Sequence, residues 1–249
     1  MRDSVMGGNR MKQLENKVIL LTGATGGIGI PIARMLIGEG ARLLLTGLEE
    51  DVLADIAEEL GENCAYFAAD LLQEGAPADI IAYCARRFGR LDILINNAGI
   101  ASRKPILDVT KAELMKHFEI NAYAPLAMAQ AAVPMLKDSG AGDIITICSS
   151  SGMYPYVGQA CYSASKHAQR ALMEILTMEL YETGIRVHTI APTGVDTGMI
   201  RITRPDLNGD AYCKPEEIAE IIVFILAHRN NSVIDEVYVR RHAKMPFEP

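Results

Sequence analysis

Residues 18–39 read VILLTGATGGIGIPIARMLIGE, and this stretch decides the fold of the chain. Residues 18–21 form a short apolar run, which predicts a buried strand. A glycine-rich turn follows at once, and a helical pattern then runs from about Ile28 to Glu39 with Pro31 in its first turn. Glycines let a backbone approach a pyrophosphate, and a helix N-terminus presents free N–H groups to it. The order of strand, glycine turn and helix therefore predicts a dinucleotide site.

Outward from this unit, apolar strands alternate with helical patterns along the chain. The further predicted strands cover residues 41–46, 64–68, 91–95, 143–147, 186–191 and 236–239. The further predicted helices cover residues 76–88, 111–136, 162–182 and 215–227, with a kink or break where 111–136 contains Pro125 and Pro134. Strands that are apolar throughout indicate a parallel sheet covered on both faces. We predict an α/β fold, a Rossmann-like doubly wound parallel sheet of about seven strands with helices on both faces.

The composition is that of an ordinary globular protein. The chain has 249 residues, of which 49% are hydrophobic and 22% charged. Without a composition break, we expect a mobile N-terminal tail over residues 1–14 and a single catalytic domain over residues 15–249. The net charge of −7 argues against a nucleic-acid partner, and no apolar run is long enough to cross a membrane. The basic cluster Arg240, Arg241, His242 and Lys244 is expected to be a solvated tail or a contact with a neighbouring subunit.

Cysteine and histidine usage points to a reducing compartment and no metal. The five cysteines are odd in number and form no C-x-x-C pair. Free thiols are typical of reducing compartments, so we expect a cytoplasmic protein. The five histidines have no ligand spacing, and no metal site is predicted.

Polar and glycine residues follow several predicted strands, where ligands bind in such sheets. The glycine turn, Asp70, residues 96–99, Ser149 and Thr193 all stand at such strand ends, which predicts one shared site. After the second strand come Gly47 and Leu48, then three carboxylates at residues 49–51. These carboxylates either hold a ribose or only begin the next helix. No Arg or Lys lies nearby to hold a 2′-phosphate, so NAD is favoured over NADP.

Tyr162 and Lys166 are spaced four residues apart at the start of a helical pattern. That spacing puts both side chains on one helix face, one turn apart. A free tyrosine has a pKa of about 10, and a nearby ammonium lowers it. We therefore expect Tyr162 to act as a general acid or base. The alternative is an ordinary pair on a helix surface.

Four motifs in order resemble the classical short-chain dehydrogenase/reductase family. They are Thr22-Gly-x-x-x-Gly-x-Gly29, Asn96-Asn-Ala-Gly99, Ser149 thirteen residues before Tyr162, and Tyr162-x-x-x-Lys166. The resemblance covers nearly everything over residues 17–239. In three places the chain departs from the family pattern. Thr193 stands where glycine is usual, and residues 199–213 are short for a substrate lid. Residues 233–240 lack the glycine-rich close common in ketoacyl reductases and look more like the branch that acts on hydroxy acids, small ketones or diverse carbonyls.

The resemblance implies a role for each matching residue. Tyr162 would exchange a proton with the substrate oxygen, Ser149 would hydrogen-bond that oxygen, and Lys166 would hold the nicotinamide ribose and lower the Tyr162 pKa. Asn121 would join Lys166 to a water chain. Met153, Tyr154, Pro155 and Tyr156 are expected as pocket walls. Cofactor contacts are implied for Gly23, Thr25, Gly27, Ile28, Gly29, Gly47, Leu48, Asp70, Leu71, Asn97, Ala98, Gly99, Tyr162, Lys166, Pro192, Val195 and Thr197.

The function implied is hydride transfer between NAD(P) and a small-molecule carbonyl or secondary alcohol. A cofactor-binding regulatory protein without turnover is the alternative, because fold does not fix function. A non-redox lyase or epimerase that uses the same tyrosine is a third reading. The resemblance also implies a homo-oligomer, either a tetramer or a dimer, with two long helices at its main interface.

Overall fold

Seven parallel strands form one sheet in the computed structural model, which describes residues 13–203 and 212–246. The strand order is β3-β2-β1-β4-β5-β6-β7, so the order reverses between β1 and β4. This is the predicted Rossmann-like doubly wound sheet. The strands are β1 Val18–Thr22, β2 Arg42–Gly47, β3 Cys64–Ala68, β4 Ile93–Asn96, β5 Asp143–Ile147, β6 Arg186–Pro192 and β7 Glu236–Val239.

Helices cover both faces of the sheet because successive strand residues point to opposite sides. Ile19 and Leu21 face the core beneath α1, α2 and α8, whereas Val18 and Leu20 face the core beneath α3, α5 and α6. No described helix has the length and apolarity that a membrane crossing requires. The helices are α1 Gly29–Gly38, α2 Glu50–Leu60, α3 Ala76–Phe88, α4 Lys111–Phe118, α5 Ala124–Asp138, α6 Ala160–Leu180, α7 Gly198–Thr203 and α8 Pro215–Ala227.

The predicted helix over residues 111–136 is interrupted by a π-helical turn, Glu119–Tyr123, between α4 and α5. Pro125 falls in the first turn of α5, where its missing N–H is tolerated, and the helix continues through Pro134. Single π turns inside helices are frequent at functional sites. This turn contains Asn121, which it buries completely.

The N-terminal boundary differs from the sequence expectation. Leu14 is 2% exposed, belongs to the core, and donates its backbone N–H to Glu39 O at 3.0 Å. The predicted tail therefore ends before Leu14, because this apolar side chain gains by burial beside α1. Residues 1–12 of that tail, and residues 204–211 of the predicted short lid, lie outside the described residues.

Candidate active site

A cavity of about 1010 Å³ opens at the carboxyl ends of the strands, next to the β1–β4 reversal. Most of the predicted cofactor residues line it. Three predicted site residues do not: Gly29, Asn121 and Ser149. Those that do are Gly23, Thr25, Gly27, Ile28, Gly47, Leu48, Asp70, Leu71, Asn97, Ala98, Gly99, Tyr162, Lys166, Pro192, Val195 and Thr197.

The glycine turn after β1 is shaped by close backbone approaches. Gly23 has a φ of 61°, and a Cβ there would lie 2.7 Å from Ala98 Cα. A Cβ on Gly29 would lie 2.8 Å from Ala24 Cα, so this glycine lets α1 pack against the turn. Gly29 thus has a packing role and does not line the cavity, and its predicted cofactor contact stays a prediction. A Cβ on Gly27 would fill space beside the Thr197 side chain, 2.8 Å from Cγ2.

The end of the cavity beside β2 carries carboxylates. Thr25 Oγ1 donates a hydrogen bond to Glu49 Oε2 at 2.7 Å, and Asp70 Oδ1 accepts one from the Leu72 N–H at 2.9 Å. Leu48 is 66% exposed. The buried Thr46 hydroxyl lines the cavity and has no hydrogen-bond partner among the described residues. A polar ligand at this end would meet the carboxylate oxygens of Glu49 and Asp70 and, at Thr46, a hydroxyl without a described partner.

Asn97 ties the end of β4 to the glycine turn. Its Nδ2 donates to Gly23 O at 2.9 Å and to Thr22 O at 3.2 Å. The backbone N–H groups of Asn97 and Ala98 both donate to Thr22 Oγ1 at 3.1 Å. The side-chain amide therefore holds the cavity wall together.

Tyr162 lies in the first turn of α6, beside Ser149 at the end of β5. The Ser149 side chain is close enough to the Tyr162 phenol to influence its pKa. Ser149 Oγ accepts a hydrogen bond from the Ser151 N–H at 3.1 Å, capping a short 3₁₀ turn. Burial raises the pKa of Tyr162 to about 12, although the nearby Ser149 hydroxyl acts in the lowering direction. The predicted lowering of this pKa is not found.

The Lys166 ammonium does not lower the Tyr162 pKa, because other groups hold it. Its Nζ donates to Ile147 O at 3.0 Å and to Gln169 Oε1 at 2.9 Å. The side chain is 4% exposed, and burial lowers the pKa of Lys166. Gln169, only 1% exposed, was missed by sequence reasoning, although it lies three residues beyond Lys166 on the same helix face.

Asn121 is brought close to Lys166 by the π turn but does not reach the cavity. Its Nδ2 donates to Ile100 O and to Ser165 Oγ, both at 2.9 Å, and its Oδ1 accepts from the Ile100 N–H at 2.8 Å. A Cβ on Gly99 would lie 3.2 Å from Asn121 Oδ1 and 3.7 Å from Lys166 Nζ. Asn121 and Lys166 therefore both border the backbone at Gly99.

A family model described as short chain dehydrogenase matches residues 17–208. This chain belongs to the short-chain dehydrogenase family. An uncharacterized oxidoreductase of Staphylococcus epidermidis is 32% identical over 230 residues, covering 92% of this chain and 99% of that protein. An uncharacterized oxidoreductase of Staphylococcus aureus strain USA300 is also 32% identical, over 231 residues and with the same coverage of both chains.

Solved structures support the same assignment for this dehydrogenase. The crystal structure of gox2181 is 26% identical, with a TM-score of 0.85, and covers 92% of this chain and 97% of its own. A metagenomic short-chain oxidoreductase in complex with NADP is 30% identical, with a TM-score of 0.81 and coverage of 93% and 100%. The chain is therefore an oxidoreductase with a nicotinamide-cofactor site, and the alternative of a regulatory protein without turnover is not favoured.

The other end of the dehydrogenase cavity is lined by segments that are far apart in the sequence. Residues of α7 and of the C-terminal segment line it together with Tyr156 and Gln159. Of the predicted pocket walls, Tyr156 lines the cavity, whereas Tyr154 packs edge-on against Tyr238 at a ring-centroid distance of 6.4 Å. Arg241 and Lys244 also line this end.

The C-terminal cluster thus differs from the expected solvated tail. Lys244 Nζ donates to Tyr156 OH at 3.0 Å, across 88 residues of sequence. The pairing of β7 with β6 brings this segment back over the cavity. No local pattern in the sequence could reveal that contact.

Proposed function

We propose that this dehydrogenase transfers a hydride between a nicotinamide cofactor and a carbonyl or secondary-alcohol substrate, with Tyr162 as the general acid or base. The observation that carries the proposal is the meeting of Tyr162 with Ser149 beside the buried Lys166. Tyr162 and Lys166 line the same cavity as the glycine turn. A substrate oxygen in this cavity can therefore reach the Tyr162 phenol, with Ser149 and Lys166 beside it.

The residues present fit a bound dinucleotide. Gly23 and Gly27 line the cavity and have no room for a side chain, so backbone rather than side chains forms this part of the wall, and the Thr46 hydroxyl is buried without a described partner. The N-terminus of α1 would face the diphosphate, and Lys166 would hold the nicotinamide ribose. When bound, the nicotinamide would supply or accept the hydride.

The side chains of the site have separate roles in proton transfer and positioning. Ser149 orients the substrate oxygen through its hydroxyl, and Tyr162 donates its proton to that oxygen in the direction of reduction. A phenol with a pKa of about 12 is protonated at neutral pH, as an acid must be before reduction. Asn121 fixes the backbone at Ile100 through two hydrogen bonds and so positions the wall beside Lys166.

Replacement of the phenol tests the proposal. We expect Tyr162→Phe to lower kcat by about 100- to 10,000-fold, the usual range for lost acid–base catalysis, while cofactor binding persists. Tyr181→Phe is the control, because Tyr181 is 82% exposed directly after α6. Tyr156→Phe tests the competing phenol, which lines the same cavity but contacts Ser150 and Lys244. Near-normal turnover by Tyr162→Phe on a carbonyl panel, with collapse in Tyr156→Phe, would reassign the acid.

We also propose that NAD is preferred over NADP. Support comes from Glu49, whose carboxylate is hydrogen-bonded by Thr25 at the cavity end beside β2. The described cations that line the cavity are Lys166, Arg241 and Lys244, and none of them belongs to the residues directly after β2. The metagenomic relative was solved with NADP, so the preference must be measured for this chain.

Fluorescence titration with NADH and NADPH measures that preference. We expect NADH to bind at least about tenfold more tightly, the ratio that about 1.4 kcal/mol produces. Leu48→Arg supplies a cation at an exposed position and should improve NADPH binding selectively. Tighter NADPH binding by the unaltered protein would reject the preference.

We further propose a homo-oligomer, a single catalytic domain that includes Leu14, and a cytoplasmic location. An exposed apolar stripe along α6, with Ala164, Ala171, Ile175 and Met178, supports self-association. The joining of all described strands in one sheet supports a single domain. Five unpaired, buried cysteines support a reducing compartment.

A further inference from the structure

Two cations of the C-terminal segment, Arg241 and Lys244, line the dehydrogenase cavity. Lys244 Nζ lies 3.0 Å from Tyr156 OH and 3.5 Å from Tyr238 OH. It also lies 5.8 Å and 5.5 Å from the ring centroids of Tyr154 and Tyr156. Three tyrosines thus surround an ammonium that is only partly exposed.

No carboxylate of the described residues pairs with Lys244 or Arg241. Several cations elsewhere in the described chain do have such partners, as in Lys17–Asp92, Lys104–Glu113 and Arg170–Glu236. The carboxylates that line the cavity, Glu49 and Asp70, stand after β2 and β3 instead. Partly buried positive charge without a counter-charge favours an anion in the space that it faces.

The cationic end of the cavity is connected to the reacting end. Tyr156 OH donates to Ser150 Oγ at 3.3 Å, and Ser150 directly follows Ser149. The ammonium of Lys244 is therefore two hydrogen bonds from the residue next to Ser149. Its side-chain contacts lie in the loop between Ser149 and Tyr162 and on β7, not in the glycine turn where a diphosphate would bind.

The C-terminal segment is held in position by specific contacts. The Arg241 N–H donates to Thr193 Oγ1 at 2.8 Å, so the threonine that replaces the usual family glycine anchors it. The Arg240 guanidinium donates to the carbonyl oxygens of Arg241 and His242 at 3.1 Å, and also to that of Lys244. Lys244 is thus presented to the cavity by a folded loop.

We propose that Lys244, with Arg241 beside it, binds a carboxylate of the substrate, and that the enzyme acts on oxo acids and the corresponding hydroxy acids. The proposal rests on the proposed function and names its substrate class. In reduction, the carbonyl carbon gains a hydride, its oxygen gains the Tyr162 proton, and the carboxylate is unchanged. The carboxylate would supply the two cations with a counter-charge that none of the described residues provides.

Matched pairs of probes test this assignment. Pyruvate, acetoacetate and levulinate, each compared with its methyl ester, vary the spacing between carbonyl and carboxylate. We expect a kcat/KM ratio of acid to ester of at least about ten for one spacing. Lys244→Met should lower that ratio by about 10- to 100-fold, and Lys244→Arg should restore most of it. Lys137→Met, at an exposed site at the end of α5, should leave the ratio unchanged.

Failure of this assignment is distinguishable from failure of the proposed function. If the esters are reduced as well as the acids at every spacing, the carboxylate site is rejected and the reductase function stands. If no probe is reduced, calorimetric titration of the cofactor-loaded protein with the same three acids decides. Binding that Lys244→Met abolishes supports the site without the reaction, whereas no binding of any acid rejects the site.

Discussion

At the residue scale, Tyr162 and Lys166 behave differently from an isolated tyrosine–lysine pair on a helix. Their spacing suggests an ammonium that stabilises a phenolate. In the folded chain, Lys166 donates to Ile147 O and Gln169 Oε1, and burial dominates the phenol. Burial acts on both groups in the direction of the neutral form, which raises the pKa of Tyr162 and lowers that of Lys166.

The pH dependence of Tyr162 ionisation follows from that burial. A pKa of about 12 keeps the phenol protonated through the range in which free tyrosines ionise, near pH about 10. In the cofactor-free protein, we expect the wild type and Tyr162→Phe to show equal phenolate absorbance up to about pH 10. One extra phenolate in the wild type near neutral pH would show that Lys166 controls the phenol after all.

At the element scale, the start of α1 requires a glycine, because the backbone packing there leaves no room for a side chain. A Cβ on Gly29 would collide with the Ala24 backbone, which cannot move without opening the turn. At the other end of the same helix, a Cβ on Gly38 would have nothing within 4 Å. The two glycines therefore offer a matched comparison within one element.

We expect Gly29→Ala to destabilise the fold by about 2–3 kcal/mol and to weaken cofactor binding. Gly38→Ala should leave stability unchanged or raise it by up to about 1 kcal/mol, because alanine favours helix. Urea unfolding and cofactor titration of both variants measure these effects. Equal stability of the two variants would mean that the turn relaxes more easily than its backbone contacts indicate.

At the scale of the whole molecule, α6 serves both the active site and an outer surface. Its inner face carries Lys166 and Gln169, whereas Met178 is 69% exposed and Ile175 is 46% exposed. Exposed apolar side chains that follow one helix stripe are typical of association surfaces. The proposed homo-oligomer would bury this stripe against a second copy of the chain.

Light scattering tests that assembly. We expect a dimer or tetramer for the wild type and a smaller species for the double variant Ile175→Glu/Met178→Glu, because buried carboxylates would oppose association. Val52→Glu, at a 39% exposed site on α2, is the control and should keep the wild-type mass. A monomeric wild type would contradict the proposal.

The sequence by itself determined the fold class, most of the element positions and most of the cavity wall. These features are local: apolar runs, a glycine turn and four-residue helix spacing act between neighbours in the chain. The predicted bounds of β3, α3, β5 and α8 match those of the structure. The glycine turn directly precedes α1, and Tyr162 lies in the first turn of α6, so both stand at helix starts, where local rules are strongest.

Only the tertiary structure decided the properties that depend on residues far apart in sequence. Burial, which no spacing encodes, set the directions of the Tyr162 and Lys166 pKa shifts. Backbone packing made Gly29 a structural residue rather than a cavity residue. The pairing of β7 with β6 carried Lys244 to Tyr156, so a cluster that reads as a charged tail became part of the cavity wall.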